Sequence, residues 1–183
     1  MATVHAGMAI SLDGFVADRK GSTARLSDPE TLRGSAYMDE LIEQTGAVVM
    51  GRRSYEMADD PDDYVGAYEF QVPLFVLTNT PPRVMPKQDE NLTFTFVTDG
   101  IESAIRQARD AAGHRVVQVL GADVIGQTLR AGLADELHLD VVPVLLGSGL
   151  RLFDDPEVEG IALKRIGVRE VGAVTALRFL VLT

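Results

Sequence analysis

The sequence predicts an α/β fold of the three-layer kind: a central mixed, mostly parallel sheet with helices on both faces and a C-terminal antiparallel hairpin. Two observations carry this. Short β-rich runs at residues 4–10, 47–50, 72–77, 92–97, 116–120 and 137–144 alternate with helical patterns at 30–44, 54–58, 101–112 and 124–131. Strands separated by helices pair side by side in parallel, because each crossover returns the chain to the same end of the sheet. The tail breaks the alternation, with two adjacent β-rich runs at 161–171 and 173–182 meeting near Gly172, the pattern of a hairpin.

The 183 residues are 46% hydrophobic and 24% charged, without repeats or a linker rich in Pro, Gly or Ser, and are expected to fold as a single domain over 1–183. The chain has no cysteine, so disulfides, thiolate metal sites and cysteine nucleophiles are excluded, and the cytoplasm is the expected compartment. A formal charge of −10 argues against nucleic acid as a partner and confines any phosphate site to a local patch. The sequence starts Met1-Ala2-Thr3-Val4-His5-Ala6 with no basic segment leading into a long apolar run, so neither secretion nor a membrane span is expected. The segment Asp59-Asp60-Pro61-Asp62-Asp63 reads as a solvated acidic loop.

Chemistry concentrates where strands end. Val48-Val49-Met50-Gly51-Arg52-Arg53-Ser54 runs from an apolar strand through a glycine into a helix start carrying two cations. A helix N-terminus disfavours a cation by about 0.3–1 kcal/mol, and a bound phosphate would reverse that sign. The plainer reading is two solvated arginines after a tight turn. Val119-Leu120-Gly121-Ala122-Asp123-Val124 repeats the arrangement without the full G-x-G-x-x-G pattern, and its Asp123 is either part of the ligand site or an ordinary N-cap. Phe75-Val76-Leu77-Thr78-Asn79-Thr80-Pro81-Pro82 ends a third strand in polar groups and prolines, as a turn would. Carboxyl ends of parallel strands gather at one edge of the sheet, so these three junctions are expected to converge.

The first strand ends Ala9-Ile10-Ser11-Leu12-Asp13-Gly14, where Asp13 either touches substrate or bonds its own turn. His5, His114 and His138 are too scattered for a metal pair at helical spacing, and no metal is expected. Gly147-Ser148-Gly149 suggests a mobile lid.

Taken in order, Ala9-Ile10-Ser11-Leu12-Asp13-Gly14, Met50-Gly51-Arg52-Arg53-Ser54-Tyr55-Glu56, Leu77-Thr78-Asn79, Leu120-Gly121-Ala122 and Pro143-Val144-Leu145-Leu146-Gly147-Ser148-Gly149 resemble the dihydrofolate-reductase-like superfamily. The nearer branch is the C-terminal reductase domain of riboflavin biosynthesis proteins. The resemblance implies an NADPH site in which Gly51, Arg52, Arg53 and Ser54 meet phosphates, and Thr78 and Asn79 border the adenosine half. Gly121, Ala122, Asp123 and Val124 would hold the pyrophosphate. Ala9 and Val16 would flank the nicotinamide, while Ser11, Asp13, Met38 and Leu41 would face a small-molecule substrate, with Asp13 as candidate acid. A homodimer is also implied.

Some departures narrow the substrate. Arg33-Gly34-Ser35-Ala36-Tyr37 lacks the acidic residue of folate reductases, and the chain has no tryptophan. Phe15 stands where riboflavin-type reductases carry lysine after the Asp-Gly pair. The expectation is therefore a reductase acting on a small heterocycle or carbonyl. The alternatives are the pyrimidine reductase of riboflavin biosynthesis and a non-catalytic nucleotide-binding module on the same fold.

Overall fold

The computed structural model describes residues 1–26, 32 and 34–182. Strands β1 (Val4–Ser11), β2 (Phe15–Ala17), β3 (Thr45–Gly51), β4 (Leu74–Leu77) and β5 (Phe94–Val97) precede β6 (Val116–Leu120), β7 (Glu136–Val142), β8 (Leu150–Arg151), β9 (Ala162–Val171) and β10 (Val174–Leu182). The helices are α1 (Ala36–Gln44), the single turns α2 (Arg52–Tyr55) and α3 (Tyr64–Ala67), α4 (Ile101–Ala112) and α5 (Ala122–Arg130).

The main sheet has the order β5-β4-β3-β6-β1-β7-β10-β9. Its first six strands are parallel, whereas β10 runs antiparallel to both β7 and β9, as the alternation and the tail hairpin predict. Strand β3 explains the layering. It is buried on both faces, with Ala47 and Val49 facing the cluster beneath α4 and α5 while Val48 and Met50 face the cluster beneath α1. Helix α4 presents Ile101, Ala104, Ile105, Ala108 and Ala112, the i, i+3, i+4 spacing of one apolar stripe, and stops at Gly113, which takes φ +65°.

Boundaries shift where local chemistry overrides periodicity. The helix expected over 30–44 begins at Ala36, because Gly34 takes φ +75° and the Ser35 hydroxyl accepts the Met38 N–H at 3.2 Å as an N-cap. Glu30, Thr31 and Arg33, part of that expectation, lie outside the described residues. The helix expected at 54–58 is the single turn α2 instead. The acidic loop is exposed at Asp59, Asp60, Asp62 and Asp63, and contains one 3-10 turn capped by Asp60.

Two short strands were not expected. β2 and β8 pair antiparallel as a separate small sheet that ties the segment after β1 to the segment after β7. Among the described residues no helix is long and apolar enough to cross a membrane.

Candidate functional site

From β3 the chain moves outward to β4 and β5, whereas from β6 it crosses to β7 on the other side of β1. Connections leaving neighbouring strands in opposite directions open a crevice at their carboxyl ends. Here that crevice lies between Gly51 and Gly121, and the backbone packing around it is close. A Cβ built on Gly121 would come within 2.8 Å of Ser54 Oγ, and one on Gly51 within 3.0 Å of Val124 Cγ2. The two glycine junctions expected to converge do meet.

Gly121 takes φ +99°, a value glycine adopts without the penalty other residues incur, and serves as the N-cap of α5. Its cap has no side chain, so the first amides of α5 are free of side-chain acceptors. Asp123 is therefore not the N-cap. Its carboxylate accepts from Gln127 Nε2 at 2.8 Å, along the outer face of the helix.

Beside this crevice a cleft of about 230 Å³ runs over β4 and β5. Tyr55, Phe96 and Pro82 form apolar walls, while Arg52, Thr78 and Arg83 contribute polar groups. Flat apolar walls with cations at the rim suit an aromatic ring linked to phosphate. Arg83 was missed in the sequence, although the Pro81-Pro82 turn that sets its place was legible. Thr78 is buried, with its hydroxyl accepting the Thr80 N–H at 3.1 Å, and Asn79 is exposed.

The arginines are not strained by the helix start. α2 has only four residues, too few peptide dipoles to make the cations unfavourable in the way the sequence suggested. Arg52 pairs instead with Glu56 at 2.6 Å on the surface, and Arg53 makes no ion pair among the described residues. Both remain exposed at the crevice edge.

The substrate-side residues also change roles. Ser11 is fully buried, donating to Asp13 Oδ1 at 2.6 Å and accepting the Phe15 N–H at 2.9 Å, so its hydroxyl is committed to the turn rather than to a substrate. Asp13 accepts the Gly147 N–H at 2.7 Å and the Leu146 N–H at 3.1 Å. The Ser11 hydroxyl, followed by these amides, outweighs desolvation and holds the Asp13 carboxyl down at about 2. In this geometry the Asp13 carboxylate pins a loop. The loop expected to act as a lid is fixed from both sides, since Leu12 N–H also donates to Val144 O and a Cβ on Gly149 would overlap the Ala17 carbonyl oxygen.

Ala9 is half-buried against the Leu26, Val142 and Val174 cluster, and Val16 is buried in the main core. Met38 and Leu41 pack partly buried on the cluster around Val48 and Met50. Asp140 escaped the sequence reading. It stands opposite Ala9 in register and accepts from the buried Tyr37 hydroxyl at 2.8 Å. Burial raises the Asp140 carboxyl against the opposing effect of that hydrogen bond.

Fold and crevice together define an α/β protein with a crevice at a strand-order switch, and comparison with known proteins places it further. The RibD C-terminal domain model matches residues 2–177, and the chain belongs to that family. Its structure superposes on a protein from Shewanella sp. PV-4 described as a riboflavin biosynthesis protein, with TM-score 0.76, 25% identity and full coverage of both chains. The Saccharomyces riboflavin biosynthesis reductase Rib7 matches with TM-score 0.63 at 15% identity, covering 100% of this chain and 89% of Rib7, a likeness of fold. YwjB of Bacillus subtilis, itself uncharacterized, is 27% identical over 172 residues, 94% of each chain. The fold is thus that of the dihydrofolate-reductase-like reductases, as the motifs implied.

Proposed function

We propose that the chain is an NADPH-dependent reductase acting on a small heterocycle or carbonyl compound. The observation that carries this reading is the close meeting of Gly51 and Gly121, where the start of α5 has no side-chain cap. A side chain at Gly121 would press on Ser54 and one at Gly51 on Val124, whereas glycines let the two junctions meet with their backbone open to a phosphate, so the residues present fit the cofactor. Gly121, Ala122 and Val124 would hold the pyrophosphate through backbone amides, with Ser54 beside them. Arg52, Arg53 and Arg83 would meet the 2′-phosphate, Arg52 by exchanging its Glu56 partner, and Tyr55 and Phe96 would wall the adenine. When bound, the cofactor supplies hydride to an electron-poor C=N or C=O carbon. The small side chain of Ala9 would admit the nicotinamide against the end of β1, and Val16 would limit water there. Because Asp13 is ionised and engaged, water would deliver the proton.

One observation favours a phosphate-bearing substrate of the pyrimidine-reductase type. Phe15 replaces the expected lysine, but the Arg151 guanidinium lies 4.4 Å from the centre of the Phe15 ring and restores a cation beside that position. The exposed apolar residues Leu163, Ile166 and Val168 on the edge strand β9 support assembly as a homodimer. Oxidation of NADPH in the presence of phosphoribosylated aminopyrimidines and of simple carbonyls tests the reductase reading. Saturable NADPH binding with turnover of one class supports it, and absence of cofactor binding overturns it.

A further inference from the structure

Strands β1 and β7 are parallel neighbours at the centre of the sheet, and their register places His5 opposite Glu136 and Gly7 opposite His138. The two histidines lie 133 residues apart in sequence, so no motif spacing connects them. In the fold they share one face, with ring centroids 4.4 Å apart. Glu136 Oε2 lies 2.7 Å from His138 Nε2 and 3.7 Å from His5 Nε2, and one potential ligand atom from each of the three residues falls within 4.8 Å of the others.

We propose that His5, Glu136 and His138 form a binding site for a divalent transition ion of the zinc class. Two imidazoles and one carboxylate are a common zinc donor set, completed by a water. Bonds of about 2.0–2.1 Å in tetrahedral geometry put donor atoms roughly 3.3 Å apart. The two carboxylate–imidazole separations bracket that value, so modest side-chain rotation closes the site.

The surroundings point the same way. His5 and His138 are only 8% and 6% exposed, and burial holds both imidazoles neutral, the ligating form. The Glu136 side chain keeps 22% exposure, which gives an ion a route from solvent. Asp140 adds negative charge on one side and Asp135, paired with Arg109 at 3.1 Å, stands on the other, while the Arg178 guanidinium lies opposite His138. The protein alone leaves this polar patch incomplete. His138 Nδ1 is buried without a hydrogen-bond partner, as is Nε2 of Gln118, the register partner of His5 on β6. An ion held at Nε2 would fix the His138 tautomer with its proton on Nδ1, the nitrogen left to an outer partner.

The site lies toward the start of β1, six residues before Ser11 and so roughly 20 Å from the crevice at the strand's other end. Its role is to clamp β1 to β7 rather than to take part in hydride transfer, and it stands whether or not the cofactor reading does.

The test is calorimetric titration of chelator-treated protein with zinc chloride, with magnesium chloride as a control for hard, oxygen-preferring ions. One zinc per chain with micromolar or tighter affinity is expected, no response to magnesium, and a Tm rise of roughly 5–10 °C at a hundredfold excess over Kd. His138→Gln and Glu136→Gln should each weaken zinc binding by tenfold or more, whereas His114→Gln, altering an exposed histidine, should not. Imidazole nitrogen NMR of the unaltered protein settles the matter even if a variant fails to fold: the His5 and His138 resonances should move with zinc while His114 stays. Absence of zinc binding, or resonances of His5 and His138 unmoved at saturation, overturns the proposal.

Discussion

Gly121→Ala probes the meeting of the two junctions most sharply. At φ +99° and ψ 131° an alanine sits in a region nearly reserved for glycine, at a cost of about 1–3 kcal/mol. The new methyl also arrives 2.8 Å from Ser54 Oγ, so α2 or α5 must shift. For a chain of this size each kcal/mol corresponds to roughly 2–4 °C, so the conformational term alone predicts a Tm lower by roughly 2–12 °C. Displacing the first amides of α5 should in addition weaken NADPH binding by about tenfold or more, equivalent to about 1.4 kcal/mol. Adding Ser54→Gly relieves the contact but not the backbone strain, so stability should return only in part. Gly126→Ala is the control: that glycine is inside α5 with open space where its Cβ would be, and the change should raise stability by about 0.5–1 kcal/mol. Thermal melts and calorimetric titration of the purified variants measure both effects. A Gly121→Ala protein with unchanged Tm and unchanged cofactor affinity would refute the cradle.

Other perturbations separate ligand roles from structural ones. Arg52→Ala removes a surface ion pair worth about 0–1 kcal/mol, so the melt without ligand should barely move while NADPH affinity falls by about tenfold; a large loss of Tm with intact affinity would make the arginine structural. Asp13→Asn should destabilise the protein above about pH 4 and leave cofactor affinity intact, because the side chain holds Gly147 and Leu146. The folded Asp13 pKa of about 2 lies below its ordinary 3.8, so its stabilisation is full above the latter and lost as pH falls through the former. The Tm gap between Asp13→Asn and the parent should accordingly close between about pH 4 and pH 2, and a gap independent of pH would contradict the clamp. Gly149→Ala should break the pairing of β2 with β8, seen as faster exchange of the Leu152 amide, which donates to Gly14 O.

The layered fold was legible because it rests on local signals: apolar runs such as 116–120 and the α4 stripe state their element directly. The meeting of Gly51 with Gly121 was legible too, since parallel strands bring their carboxyl ends together regardless of side-chain detail. What sequence hid depends on register. Asp13 was left open between a substrate contact and a turn residue because two of its partners, Leu146 and Gly147, come from a loop over 130 residues away. His5 and His138 looked scattered because spacing rules detect pairs on one helix, while parallel strands pair residues at any separation. The dipole argument for Arg52 and Arg53 failed for a different reason: a helix of a single turn, short already in the expected 54–58, sums too few peptide dipoles.

Isothermal titration of the unaltered protein with NADPH and with NADH, under identical conditions, tests the central claim most directly. The account predicts one NADPH per chain, bound about tenfold or more tightly than NADH because the crevice-edge arginines meet the additional phosphate. Equal affinities would remove those arginines from the site, and no binding of either nucleotide would contradict the reductase reading itself.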